Sequence, residues 1–215
     1  MAVPRLAHAS CHSSFTWDRA TVHAVALAYR RRRLSANLAP LAMVLVIIAG
    51  NTGATEWSEE RLIEDALSAA PPSIGGTATV MDWNHRILRR GSGPYVCFPT
   101  PESSQPTGRE PMCLDKVWIA WLEAWAHAKP FKAEGVGIAY MLAGDAGASA
   151  IDPYASGPTP DNRWAVDGPH LMVIVPDVAK LDGLPTDANL GGPWVMWKGT
   201  PYVHIMIPIP EPAHH

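Results

Sequence analysis

The chain has 215 residues, of which 47% are hydrophobic, and a formal net charge of −3 from 17 Lys and Arg against 20 Asp and Glu. Six of these basic residues but only one acidic residue lie in residues 1–54, so residues 55–215 contain eleven basic and nineteen acidic residues. Nucleic-acid-binding proteins gain affinity by neutralising phosphates with Lys and Arg. No basic stripe remains in residues 55–215, and this composition argues against a nucleic acid partner.

Residues 1–54 have the order of a secretory signal. Four arginines, Arg30 to Arg33, precede an apolar run over residues 38–50, and small or polar residues follow up to Ala54. This order is typical of a cleaved signal peptide, and the thirteen residues of the run are fewer than the about 20 that a membrane-spanning helix needs. We predict cleavage after Ala54 and a periplasmic or secreted protein that begins at Thr55. After cleavage no stable membrane anchor is expected.

Residues 55–215 are predicted to form one domain, whose eight tryptophans supply large side chains for a core. Ser58 predicts the start of a short helix, because serine accepts hydrogen bonds from the first backbone N–H groups, and Pro71 predicts its end. Residues 77–83 and 95–98 follow as predicted strands.

The domain contains two cysteines, Cys97 and Cys113, sixteen positions apart. An even pair in an exported chain predicts a disulfide. The residues between them are rich in Pro, Ser, Thr and Gly, which indicates a loop that the disulfide would close. The alternative, a two-thiolate metal site, lacks the close Cys-x-x-Cys spacing of such sites.

A second helix is predicted from Pro111 to the residue before Pro130. Its apolar side chains recur at helical spacing on one side, and three of them are tryptophans, Trp118, Trp121 and Trp125. Such a stripe is typical of a buried face that packs against a sheet, and we prefer this interpretation to a cofactor-binding box.

Residues 136–142 are predicted to form a strand, and a long stretch without apolar period follows from Gly144 to Trp164. Four aspartates lie in or just after this stretch: Asp145, Asp152, Asp161 and Asp167. Their spacing does not match a twelve-residue EF-hand loop, so a solvated loop is favoured over a calcium site.

Two similar strands are predicted near the end of the chain, and each contains the pattern His-x-Met. Strand side chains alternate between faces, so His170 and Met172 share one face of the first strand, and His204 and Met206 share one face of the second. If the two strands are neighbours, the two imidazoles and two thioethers converge on a common face.

Imidazole and thioether together suit copper, since soft sulfur selects Cu(I) and imidazole binds copper well. The sequence therefore suggests a transition-metal binding protein, with copper as the cofactor and His170, Met172, His204 and Met206 as ligands. The competing interpretation is that the methionines fill a sheet core and that the histidines only satisfy local hydrogen bonds.

Two further classes of function remain open. An extracytoplasmic hydrolase-like enzyme would use His170 or His204 as an acid or base with a loop aspartate, Asp152 or Asp167. Alternatively, the domain has no catalytic role and serves a structural or partner-binding purpose. Known nucleophile and metalloprotease motifs are missing from the sequence, so the enzyme hypothesis rests on residue types alone.

The predicted fold class is α+β. We expect a mostly antiparallel sheet of five to seven strands, because successive strands are joined by short turns. The tryptophan-rich helix is expected to pack on one face of this sheet, and a short N-terminal helix precedes it.

Overall fold

The structure of the protein is a computed structural model that describes residues 57–105 and 108–210. The predicted signal segment and its cleavage point after Ala54 lie outside the described residues. Within the described ranges no helix has the length and apolar character needed to cross a membrane.

The described residues form an α+β domain built on a mostly antiparallel sheet. Its helices are α1 (Glu59–Leu67), α2 (Pro72–Gly75) and α3 (Lys116–Ala126), with three short 3₁₀ turns besides. The strands are β1 (Thr79–Met81), β2 (Ile87–Arg89), β3 (Val96–Phe98), β4 (Met112–Leu114), β5 (Gly137–Met141), β6 (Ala148–Ser149), β7 (Trp164–Ala165), β8 (His170–Ile174), β9 (Trp194–Met196) and β10 (His204–Pro208).

Eight of these strands form one sheet in the order β2-β1-β3-β4-β5-β8-β10-β9, and β6 pairs with β7 in a separate small sheet. All pairs in the large sheet are antiparallel except β1 with β3. The fold class is as predicted, but the expected five to seven strands were too few. Strands β2 and β4 have three residues each, which is too short for an alternating apolar pattern to be visible.

Helix α1 begins where the sequence predicts. The Ser58 side chain accepts a hydrogen bond from the backbone N–H of Arg61 at 3.3 Å, and Glu59 and Glu60 occupy the first turn, where acidic side chains favour the helix dipole. Ala66, in the last turn, is fully buried in a cluster with the disulfide cysteines. The short N-terminal helix therefore packs on the sheet face that carries Cys97 and Cys113.

Helix α3 covers the opposite face, but it begins later than predicted. The Asp115 carboxylate accepts hydrogen bonds from the backbone N–H groups of Val117 and Trp118, both at 2.9 Å, and caps the helix there. Residues 112–114, which we expected to be helical, form β4 between β3 and β5. A side chain at Gly137 would place its Cβ 2.9 Å from Val117, so the absence of a side chain there lets α3 approach the sheet closely.

The predicted disulfide is present. Cys97 and Cys113 are cross-strand partners on β3 and β4, with their Cα atoms 4.0 Å apart, and both side chains are fully buried. The bond closes the segment that joins these two strands.

Removing this bond with the Cys97→Ala/Cys113→Ala double variant should lower the free energy of unfolding by about 3 kcal/mol, because the unfolded chain regains the freedom of a loop of this length. Chemical denaturation of the variant and of the oxidised wild type measures the difference, and the reduced wild type is the control. Equal denaturation midpoints for all three proteins would contradict a native disulfide.

Candidate functional site

The two His-x-Met strands are neighbours in the sheet. Strands β8 and β10 pair antiparallel, with Met172 directly opposite Met206. The buried positions on both strands include the histidines and methionines, while the residues between them are half-buried on the other face. All four side chains singled out in the sequence therefore lie on one face, which also carries α3.

The register places the two histidines at opposite ends of this face. Ile205 pairs with Val173, so His204 lies level with Ile174, four residues along β8 from His170. At about 3.3 Å per residue this offset is about 13 Å along the strand. The methionine pair lies between the histidines.

Each histidine has a methionine as its outer cross-strand neighbour. His170 pairs with Met141 on β5, and His204 pairs with Met196 on β9. Met141 lies in a predicted strand, but its position opposite a histidine could not be predicted, because a strand sequence does not reveal which strand it pairs with or in which register.

A cavity of about 250 Å³ lies between this face, α3 and residues 145–156. Its lining includes both histidines, Asp145 and Asp152. The methionines that line it are Met112, Met141, Met172, Met196 and Met206. The tryptophans that line it are Trp83, Trp118, Trp121, Trp125, Trp164 and Trp197. The tryptophan stripe of α3 is thus part of the core, as predicted, and also forms a wall of the cavity.

Both imidazoles are held in the same way. Nδ1 of His170 lies 2.7 Å from the carbonyl oxygen of Gly168, and Nδ1 of His204 lies 2.9 Å from that of Tyr202. A carbonyl oxygen only accepts, so each Nδ1 must donate its hydrogen. In the neutral ring Nε2 then carries the lone pair, and both Nε2 atoms are buried without a hydrogen-bond partner in the described part of the chain.

His204 is enclosed by indole rings. The ring centroids of Trp118, Trp121 and Trp197 lie 5.2, 5.6 and 5.2 Å from its own, each at a steep angle. His204 is 1% exposed, and this burial lowers its pKa to about 4; the hydrogen bond to Tyr202 opposes the change, and the charge of His170 adds to it. His204 is therefore neutral at pH 7.

Trp197 lies on strained backbone at the edge of this group. Its φ of 54° falls in the left-handed region, which bulky residues rarely adopt. The indole Nε1 donates to the carbonyl oxygen of Ser149 at 2.6 Å, and the ring stacks on Trp121 with centroids 5.6 Å apart. These contacts hold the ring against His204 in spite of the backbone cost.

Two carboxylates lie at the His170 end. Oδ1 of Asp145 accepts hydrogen bonds from the backbone N–H groups of Gly147 and Asp167, at 2.9 and 3.0 Å. Burial raises the pKa of Asp145 to about 6, the charge of Asp167 adds to the rise, and the two hydrogen bonds and His170 oppose it. The pKa of Asp167 is raised as well, because burial outweighs the opposing effect of the charge of His170. The cavity therefore has an acidic end and a tryptophan-lined end.

The long segment after Gly144 is in part the solvated loop that its composition indicates, since residues 151–161 form no helix or strand and are mostly exposed. It contains the β6–β7 hairpin, and Ser149 and Asn162 are buried at 1% and 9% exposure. The Ser149 hydroxyl donates to the carbonyl oxygen of Asn162 at 2.6 Å and accepts from the N–H of Asp152 at 2.9 Å. The two ends of the segment are therefore buried by short polar contacts that a composition-based prediction does not reveal, and several of its residues form a wall of the cavity.

These features define an α+β domain with a cavity lined by methionine, tryptophan and two buried histidines. Within residues 57–105 and 108–210 there is no group of three or more His, Cys, Asp or Glu side chains that could hold a metal ion. No protein-family model, curated protein or solved structure matches the chain.

Proposed function

We propose that the domain binds Cu(I) in the methionine-lined cavity and serves as a carrier or binding protein for this ion. The observation that carries the proposal is the pair of buried imidazoles, each with an Nε2 atom that has no hydrogen-bond partner among the described residues and that lies in a cavity lined by methionine side chains. An unsatisfied buried nitrogen is costly, and a bound cation would satisfy it.

The donor set suits a soft monovalent ion. Thioether sulfur and imidazole nitrogen are ligands that Cu(I) accepts readily, whereas hard cations prefer carboxylate and carbonyl oxygen. Because burial keeps His204 neutral at pH 7, no proton must leave its Nε2 before a metal binds. The surrounding indoles favour a cation as well, since the face of tryptophan attracts positive charge.

The hydrolase alternative has one observation in its favour. Asp145 has a raised pKa and lies near His170 at the acidic end, as groups used for acid and base catalysis often do. Two buried hydroxyls of this region are already engaged, because that of Ser149 donates to Asn162 and that of Tyr202 donates to the carbonyl oxygen of Lys129. We therefore rank metal binding above hydrolysis.

We also propose that the domain works outside the cytoplasm, in the periplasm or as a secreted protein. The Cys97–Cys113 disulfide supports this, since such bonds persist in oxidising compartments. The basic and apolar segments within residues 1–54 support it independently.

The metal proposal predicts that purified domain will take Cu(I) from a chromogenic chelator under anaerobic conditions. The Met172→Leu/Met206→Leu double variant should bind Cu(I) at least tenfold more weakly, because leucine keeps the volume of methionine but lacks its sulfur. The measurement is a competition titration followed by the absorbance of the chelator complex.

Met81→Leu is the matched control. Met81 is also a buried methionine of this core, but it is not among the residues that line the cavity, so its variant should bind Cu(I) as tightly as the wild type. The proposal fails if the wild type leaves all Cu(I) with the chelator, and a structural or partner-binding role would then be preferred. It also fails if the double variant and Met81→Leu bind equally well.

A further inference from the structure

We infer that the cavity contains two separate sites for a soft monovalent cation, each built from one histidine and two methionines. The acidic-end site consists of His170, Met172 and Met141. The tryptophan-end site consists of His204, Met206 and Met196. This inference rests on the proposed function and specifies its stoichiometry and ligands.

The separation of the histidines argues against a single shared ion. Imidazole nitrogen binds metals at about 2 Å, so one ion held by both rings needs their Nε2 atoms within about 4 Å of each other. The register instead offsets His170 from the level of His204 by four residues, about 13 Å of strand. The rings are close enough for the charge of His170 to lower the pKa of His204, but the offset between their backbone positions is about three times the spacing that one shared ion allows.

The four strands β5-β8-β10-β9 repeat the same arrangement twice. On each inner strand a methionine follows the histidine by two residues on the same face. On each outer strand a methionine lies directly across from that histidine, Met141 for His170 and Met196 for His204. The central pair, Met172 and Met206, lies where the two halves meet. Because β8 and β10 run antiparallel, the halves are related by an approximate two-fold rotation.

The backbone contacts of the histidines repeat in the same way. Each Nδ1 donates to the carbonyl oxygen two residues earlier in the chain, at 2.7 Å for His170 and 2.9 Å for His204. Both side chains are 1% exposed, and both Nε2 atoms lack a hydrogen-bond partner among the described residues. Each half therefore presents one available nitrogen and two sulfur atoms, which suffices for a soft cation.

The surroundings of the two sites differ, and this difference provides a way to tell them apart. The acidic-end site lies near Asp145 and Asp167, whose pKa values respond to the charge of His170. The tryptophan-end site lies within three indole rings, those of Trp118, Trp121 and Trp197. Trp164 is the indole at the acidic end, beside Gly147, so a heavy cation at His204, with three indoles around it, should quench tryptophan fluorescence more strongly than one at His170.

Titration with Ag(I), a soft monovalent ion that does not change oxidation state in air, tests the inference. Native mass spectrometry of the folded domain should show two bound ions. Met196→Leu should weaken binding of one ion at least tenfold and remove most of the fluorescence quenching. Met141→Leu should weaken binding of the other ion by a similar factor and leave the quenching in place, while Met81→Leu should behave as the wild type.

The possible results of this titration test the two-site arrangement separately from soft-metal binding itself. One bound ion, or two that Met141→Leu and Met196→Leu weaken in the same way, would overturn the two-site arrangement and leave soft-metal binding standing. Absence of any bound Ag(I) would overturn both. Far-ultraviolet circular dichroism of each variant establishes that a lost ion reflects a lost sulfur ligand and not unfolding, because methionine-to-leucine changes usually cost less than about 1.5 kcal/mol.

Discussion

Replacing Trp118 by alanine should lower the free energy of unfolding by about 3–5 kcal/mol, the usual cost of truncating a buried aromatic side chain. Trp118 is 1% exposed, and its ring contacts Trp121 and His204 with centroids 4.8 and 5.2 Å away. Because the cavity already borders this ring, truncation would enlarge an existing space that neighbours cannot easily fill. Chemical denaturation measures the loss.

Trp57→Ala is the matched control for this prediction. Trp57 is half-buried, belongs to neither core cluster, and contacts the Arg61 guanidinium at 5.1 Å from its ring centre. An interaction of that kind at an exposed site contributes about 0.5–1 kcal/mol. A loss in Trp118→Ala no larger than in Trp57→Ala would contradict the assignment of the tryptophan helix to the core.

The second large effect concerns stability against acid in the metal-free domain. Burial lowers the pKa of His204 to about 4 from an ordinary value near 6.5. Between these two values the unfolded chain binds more protons at this residue than the folded chain, so stability falls as the pH drops from 6.5 to 4. The linked change is about 3 kcal/mol.

Asp145 changes the stability in the opposite direction over nearly the same pH range. Its pKa is raised to about 6 from an ordinary value near 3.8, so the folded chain binds more protons here and gains stability as the pH falls from 6 to 4. This gain is also about 3 kcal/mol. In the wild type the two contributions therefore largely cancel.

The Asp145→Asn variant should expose the acid sensitivity that His204 causes. Asparagine keeps an oxygen that can accept from Gly147 and Asp167 but does not titrate. The free energy of unfolding, measured by denaturation with a chelator present, should fall by about 3 kcal/mol more in this variant than in the wild type between pH 6.5 and 4. Asp161→Asn, at an exposed aspartate, is the control. Parallel pH profiles for Asp145→Asn and the wild type would contradict the opposed titrations.

Local sequence signals predicted those parts of the fold that depend on local contacts. Ser58 caps α1 as expected, and the two cysteines form the disulfide. The predicted start of α3 was too early, because Leu114 has helical spacing to the apolar residues of the helix although it lies in β4. Asp115 predicts the start of the helix better, since its carboxylate accepts hydrogen bonds from the first backbone N–H groups of α3.

The sequence predicted only part of the candidate site. Period-two alternation placed each His-x-Met pair on one face, and the structure has both pairs on the same face of adjacent strands. Which strand lies beside each pair depends on contacts between residues far apart in the chain. Met141 and Met196 are 29 and 8 residues away from the histidines that they face. Nothing in their own strands distinguishes them from ordinary core methionines.

The position of the disulfide also determines how the molecule responds to a broken backbone. Cys97 and Cys113 flank the whole connection between β3 and β4, including the exposed Arg109. A protease that cuts there produces two pieces, yet the sulfur–sulfur bond keeps them in one covalent molecule with both strands still paired. The cut chain should therefore migrate as a single species in electrophoresis until a thiol is added. The sheet that carries His170 and His204 should stay assembled without an intact backbone between β3 and β4.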